Sequence, residues 1–122
     1  MSVFDRFWWR PFGKVAEIEA VDLKARLDRR EPVQLIDVRS AGEYTAGHIA
    51  GAVNVPIDQL RARLPELALD PARPVVAICF SAHRSPPAVR VLRQAGFDAR
   101  QLRGGLIAWR RHKLPLVKGA HS

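Results

Sequence analysis

The chain has 122 residues, which is enough for one domain with a buried core and too few for two. Hydrophobic residues make up 48% and charged residues 26%, a composition typical of a globular protein and not of a disordered one. The net charge of +8 favours small anions or acidic partners, but the scattered basic residues do not alternate with stacking aromatics, which argues against specific nucleic-acid binding.

Residues 1–14 differ from the rest and are predicted to form an aromatic and basic N-terminal arm. They include no apolar stretch typical of a signal peptide, and no run in the chain approaches the roughly 20 residues of a transmembrane segment. We expect the arm to pack on the domain, with partner docking, self-association and contact with a membrane surface as alternatives. The aromatic and basic side chains of its first twelve residues are Phe4, Arg6, Phe7, Trp8, Trp9, Arg10 and Phe12.

After the arm, short β-rich runs alternate with helical patterns, which predicts an α/β fold with a parallel or mostly parallel sheet and helices on its faces. Ser40 and Glu43 fit a capping box at the start of a helix that ends near Gly47. The other predicted strands lie between Ile18 and Val21 and over residues 33–38, 52–55, 74–79 and 98–102; the other helices cover residues 22–29, 57–64, about 87–95, and a last segment that opens at Gly104-Gly105 and stops at Pro115.

Cys79 is the only cysteine, and it ends the most hydrophobic predicted strand. The chain therefore has no internal disulfide, which favours a reducing, cytoplasmic location. Ligands bind outside the carboxyl ends of strands in open α/β sheets, where loop amides, a following helix and Arg84 would stabilise a thiolate. A buried structural cysteine is the alternative. Cys79 and the four histidines show no metal-ligand spacing, and no phosphate-binding glycine loop is present.

Several short motifs follow one another along the chain: Asp37-Val38-Arg39, Glu43-Tyr44, Gly47-His48-Ile49, Gly51-Ala52-Val53-Asn54-Val55-Pro56, the loop from Cys79 to Arg84, and Gly104-Gly105-Leu106-Ile107-Ala108-Trp109. In this order and spacing they resemble the motifs of the single-domain rhodaneses, a family of sulfurtransferases. The similarity runs from about Val15 to Pro115, so the predicted domain covers residues 15–117, followed by a tail at 118–122.

The resemblance implies a central parallel sheet of about five strands with helices on both faces. It also implies transfer of a sulfane sulfur from thiosulfate or a persulfide donor to cyanide or a thiol through a persulfide on Cys79, with no metal or cofactor. The loop of Phe80, Ser81, Ala82, His83 and Arg84 would hold the outer sulfur with its amides, and Asp37 and Arg39 would support the loop. A partner-dependent sulfur carrier or binding module, with a protein as sulfur acceptor, is the alternative.

The length of the loop separates two kinds of enzyme on this fold. Cys79 to Arg84 spans six residues, whereas the related dual-specificity phosphatases have one more residue in their loop. The resemblance implies that the shorter loop forms a cradle for one sulfur atom, which argues against phosphatase activity. Pro86-Pro87 departs from the family pattern, and we expect it to start the following helix one residue late.

Overall fold

Five parallel strands form the centre of the protein in a computed structural model that describes residues 16–81 and 85–121. The strands are β1 (Glu17–Ile18), β2 (Gln34–Asp37), β3 (Val53–Asn54), β4 (Val75–Ile78) and β5 (Ala99–Leu102). The helices are α1 (Ala20–Asp28), α2 (Ala41–Ala46), α3 (Ile57–Arg63), α4 (Ser85–Gln94) and α5 (Gly105–Arg111), with a short 3₁₀ helix at Leu64–Leu67.

The order of the strands puts β4 in the middle of the sheet, as its hydrophobic sequence predicts. The order is β1-β5-β4-β2-β3, so β4 pairs with β2 on one side and β5 on the other. Asp37 lies opposite Ile78, and Gln101 lies opposite both Ala77 and Glu17. Because the strands are parallel, their carboxyl ends meet at one edge, where Cys79 follows β4.

Helices cover both faces of the sheet, which confirms the α/β architecture expected from the sequence. Side chains of β4 alternate between the faces, since Val76 and Ile78 pack on one side and Val75, Ala77 and Cys79 on the other. Trp109 of α5 and Leu23 of α1 belong to the first core. The second core, which contains Cys79, is closed by α3 and α4 through Leu60, Ala88, Val89 and Leu92.

The predicted capping box is present at the start of α2. The Ser40 hydroxyl accepts from the Glu43 amide at 3.3 Å, and the Glu43 carboxylate accepts from the Ser40 amide at 3.0 Å. Two amides that the helix cannot pair internally are thereby satisfied. The helix ends before Gly47, as the sequence predicts.

The start of α4 differs from the prediction. The helix begins at Ser85, two residues before the expected start and not later, with Pro86 and Pro87 in its first turn. The first amides of a helix have no partner within it, and the fixed φ of proline is helical, so both prolines fit there. The prediction that they delay the helix was wrong because it gave more weight to the tendency of a residue before proline to avoid helical backbone angles.

Other boundaries shift by smaller amounts. Strand β1 ends at Ile18 and α1 already begins at Ala20, so Val21 is helical and does not border a strand. The helix predicted over residues 57–64 ends at Arg63, and the 3₁₀ helix follows it directly. Val117 forms an antiparallel bridge with His48, and the Gly119 amide donates to the Thr45 carbonyl at 2.9 Å, so part of the predicted tail contacts the domain.

Two predictions concern features outside the sheet. The N-terminal arm, residues 1–14, lies outside the described residues. In the part of the chain that is described, no helix combines the length and the apolar character that crossing a bilayer requires.

Candidate active site around Cys79

Cys79 lies directly after the central strand, whereas the sequence predicts it as the last residue of that strand. Its side chain is buried, with 1% of the residue exposed, and it carries a free thiol. It points to the face of the sheet covered by α3 and α4. The nucleophile candidate therefore lies at the carboxyl edge of the sheet, below the first turn of α4.

The predicted loop is described only at its beginning, at Phe80 and Ser81. Phe80 is 44% exposed, and Ser81 is partly buried. Ala82, His83 and Arg84 lie outside the described residues, so their predicted roles stay predictions. An exposed aromatic side chain directly beside the cysteine makes the rim of the site apolar on that side.

Helix α5 fixes the backbone at the cysteine. The amide of Leu106 donates to the Cys79 carbonyl at 2.9 Å, and that of Ile107 donates to the Phe80 carbonyl at 3.0 Å. This approach requires glycine at position 105, since a Cβ there would lie 2.4 Å from the Cys79 carbonyl oxygen. The sequence predicts that Gly105 opens a helix, but it gives no sign that this helix contacts the cysteine.

Ser85 is a second residue of the site that the sequence analysis missed. It is fully buried at the first position of α4, and its Oγ lies 3.5 Å from Cys79 Sγ. Its hydroxyl donates to Gln101 Oε1 at 2.9 Å. A serine that follows a polar loop at a helix start is typical of a cap, so its contact with sulfur depends on tertiary structure.

Gln101 and Glu17 extend these contacts across the sheet. Gln101 is 7% exposed, and its Nε2 donates to Glu17 Oε2 at 2.8 Å. The signal that could have revealed Gln101 is its position, since it is a polar residue on the buried face of a predicted strand. Such a side chain needs a partner, because burial of an unpaired amide is unfavourable.

Asp37 and Arg39, the predicted supporting pair, form a buried ion pair at the end of β2. Arg39 Nη2 lies 2.7 Å from Asp37 Oδ2 and also donates to the Gly47 carbonyl at 2.7 Å. The side-chain Nδ2 of Asn54 donates to the backbone carbonyls of Asp37 and Arg39. These contacts join β2, β3 and the end of α2, next to β4. Among the described residues, none of these hydrogen bonds reaches Cys79.

The pKa of Arg93 is shifted at the edge of the sheet where the strands begin. Partial burial lowers the pKa of Arg93, and the nearby Asp98 carboxylate opposes that effect. Arg93 Nε donates to the carbonyl of Ala99, the first residue of β5. Its electrostatics therefore concern the amino edge of the sheet, away from Cys79.

The described His, Cys, Asp and Glu side chains, within residues 16–81 and 85–121, form no cluster of three that could bind a metal ion. The described histidine with the deepest burial, His48, stacks on Tyr44 with ring centroids 3.7 Å apart. Tyr44 belongs to the core on the opposite face from Cys79.

Comparisons with known proteins show which family and which solved structures the chain resembles. The family described as the Rhodanese-like domain matches residues 19–112. An HTH-type transcriptional regulator from Mycobacterium tuberculosis is 44% identical over 84% of this chain, which spans 46% of that protein. A sulfurtransferase from Allochromatium vinosum is 40% identical, over 84% of this chain and 95% of its own length.

Among solved structures, a rhodanese-related protein from Thermoplasma volcanium superposes with a TM-score of 0.74 at 31% identity. The alignment covers 83% of this chain and 96% of that one. The likeness therefore extends over nearly the whole of that solved chain.

Proposed function

The chain belongs to the rhodanese-like domain family, and on that premise we propose that it moves a sulfane sulfur through a persulfide on Cys79. Family membership and the sulfurtransferase relative support sulfur transfer as the general activity. The observation that carries the finer proposal is the position of the free Cys79 thiol, at the carboxyl end of the central strand and 3.5 Å from a serine hydroxyl. A free thiol nucleophile suits a reducing compartment such as the cytoplasm.

The proposed reaction has two steps that balance without an external oxidant. In the first, the Cys79 thiolate attacks the outer sulfur of thiosulfate, the S–S bond of thiosulfate breaks, and sulfite leaves with the electron pair. In the second, cyanide or a thiolate attacks the outer sulfur of the persulfide and regenerates the Cys79 thiolate. The products are thiocyanate or a new persulfide, and no metal or organic cofactor takes part. Covalent catalysis of this kind divides one transfer into two displacements.

The roles of the surrounding groups are proposed from their positions in the family motif. The backbone amides from Phe80 to Arg84 would hold the outer sulfur, and the Arg84 guanidinium would attract the anionic donor. Asp37 and Arg39 support the site indirectly, since their ion pair joins the end of β2 to the end of α2.

The first experiment is an intact-mass measurement after incubation with thiosulfate. We expect an adduct of one sulfur atom on the wild-type chain, which cyanide removes, and no adduct on Cys79→Ser. The matched control is Ser81→Ala, which leaves the thiol in place and is expected to keep the adduct. Absence of the adduct from the wild type, or its persistence on Cys79→Ser, would refute the proposal.

A second function is favoured by the exposed Phe80 beside the nucleophile. An apolar rim suits an acceptor with an organic surface, such as a partner protein, more than it suits a free inorganic ion. The domain would then be a sulfur carrier that receives and passes on sulfur by docking, and the N-terminal arm would contribute to the docking surface.

Two measurements separate a carrier from an enzyme that acts on small molecules. A carrier accepts one sulfur yet turns over thiosulfate and cyanide slowly, while an enzyme sustains the cycle with both. Co-purification with and without residues 1–12 tests the docking role of the arm. Recovery of the same partners by both forms, or of none, would count against it.

A further inference from the structure

A hydrogen-bond chain runs from the nucleophile to the edge of the sheet through four side chains on one face. It consists of Cys79 after β4, Ser85 on α4, Gln101 on β5 and Glu17 on β1. The distances are 3.5 Å from Cys79 Sγ to Ser85 Oγ, 2.9 Å from Ser85 Oγ to Gln101 Oε1, and 2.8 Å from Gln101 Nε2 to Glu17 Oε2. The inner three residues are all at least nine-tenths buried, so the bonds are sheltered from competing water.

The chemistry of Glu17 sets the direction of the whole hydrogen-bond chain. A carboxylate accepts hydrogen bonds and does not donate them, so it requires the NH₂ group of Gln101 on its side. The amide oxygen of Gln101 must then face Ser85. The Ser85 hydroxyl has a single proton, which it gives to that oxygen.

Because the Ser85 hydroxyl donates its proton to Gln101 Oε1, its oxygen can present only a lone pair to Cys79 Sγ. A lone pair can accept from the S–H of a protonated thiol, and it offers nothing favourable to a thiolate. When Cys79 ionises, Ser85 must turn its proton toward the sulfur, and the buried oxygen of Gln101 then loses its donor. An unsatisfied buried acceptor is unfavourable, so the resting orientation opposes ionisation.

We propose that Glu17, acting through Gln101, holds the Ser85 hydroxyl in the orientation that favours the thiol form of Cys79. Gln101 on β5 and Glu17 on the edge strand β1 are thus positioning residues that set the reactivity of the nucleophile. The inference rests on the proposed function in one respect, since the thiolate is the species that attacks the sulfur donor.

The test measures the rate of Cys79 alkylation by iodoacetamide against pH on the full chain. Gln101→Met keeps the volume of the side chain and carries no charge, but it frees the Ser85 proton for the sulfur. We expect the midpoint of the rate profile to fall by about one pH unit, which is about a tenfold rise in rate well below the midpoint. A residue that only filled space would not move the midpoint in this direction.

Glu17→Lys tests the same logic with a donor at the end of the hydrogen-bond chain. An ammonium group donates only, so it requires the oxygen of Gln101, whose NH₂ group then donates to Ser85 Oγ. The Ser85 proton turns to the sulfur, and the midpoint again falls. Glu17 lies at the sheet edge and is only partly buried, so this variant serves if Gln101→Met does not fold.

Two controls separate the hydrogen-bond chain from a change in charge. Glu19→Lys makes the same change of charge two residues away, on a carboxylate that pairs with the exposed Arg103, and it is expected to shift the midpoint by less than a third as much. In a Ser85→Ala background, Glu17→Lys and Gln101→Met should lose most of their effect. The variants leave unchanged the charged groups on or next to β2, β5, α3, α4 and α5, and also His83 and Arg84 of the loop. Those on the elements are Asp37, Arg39, Asp58, Arg61, Arg63, Arg90, Arg93, Asp98, Arg100, Arg103, Arg110 and Arg111.

The outcomes are decisive in either direction. An unchanged or raised midpoint in both Gln101→Met and Glu17→Lys would overturn the inference, as would an equal shift in the Ser85→Ala background. Alkylation needs no sulfur donor, so the result is independent of the mass test for persulfide formation. A shifted midpoint without a persulfide adduct would leave the hydrogen-bond chain standing and remove the proposed function.

Discussion

Replacement of Gly105 by alanine tests whether the close approach of α5 to the cysteine shapes the site. The added Cβ would lie 2.4 Å from the Cys79 carbonyl oxygen, 2.5 Å from that of Phe80 and 2.6 Å from the Phe80 carbonyl carbon. All three atoms belong to the backbone, so no side-chain rotation can relieve the overlap. Either α5 or the chain at Cys79 must move.

The expected loss of stability has two parts. Gly105 has a φ of +58°, and a side chain in that left-handed conformation costs about 1 kcal/mol. Displacement of a well-packed segment adds roughly 1–3 kcal/mol. The free energy of unfolding should therefore fall by about 2–4 kcal/mol, which lowers the Tm by roughly 10–15 °C for a domain of this size.

Gly96→Ala is the matched control for this substitution. Gly96 has a φ of +96° but no atom within 4 Å of the added Cβ, so only the conformational part applies. Thermal and urea unfolding of both variants would measure the difference, and persulfide formation at a temperature where both are folded would test the site. If Gly105→Ala is no less stable than Gly96→Ala, or forms persulfide at the wild-type rate, the contact with α5 does not constrain the nucleophile.

Two further substitutions test the interactions around the carboxyl edge. Arg39→Leu removes one member of a buried ion pair and should lower the free energy of unfolding by roughly 3–5 kcal/mol in urea titrations. The exposed pair of Arg103 and Glu19 provides the control, since Arg103→Leu should cost less than about 1 kcal/mol, and similar losses in the two variants would contradict the account of burial. Ser40→Ala removes the capping box of α2 and should cost about 1 kcal/mol. Retention of the wild-type urea midpoint would mean that α2 does not need its cap.

Local patterns of the sequence predicted those parts of the fold whose causes are local. The capping box depends on two residues three apart, so Ser40 and Glu43 are sufficient to identify it. The hydrophobic run before Cys79 is long enough to indicate a central strand. The prediction for the start of α4 was wrong because proline has two opposing effects there. Its fixed φ favours the first turn of a helix, whereas a residue that precedes a proline avoids helical angles, and local rules do not decide between these effects at Pro86.

The contacts that orient the cysteine could not be predicted in this way. Glu17 and Gln101 are 84 residues apart in the chain, and their pairing depends on the register of two strands that local sequence does not specify. Gly105 is similar, because its requirement for glycine comes from the carbonyl groups of Cys79 and Phe80 on another element. The sequence pointed to Cys79 as the proposed nucleophile, and tertiary structure supplied the groups around it.

The order of strands in the sheet has a consequence for synthesis of the protein on the ribosome. Strand β1 leaves the ribosome first, yet its partner in the sheet is β5, which is made last of the five. Strand β1 therefore stays unpaired while most of the domain is translated. Contacts between distant parts of the chain also slow folding. A nascent chain that stops before residue 99 consequently lacks the strand that joins its beginning to its centre.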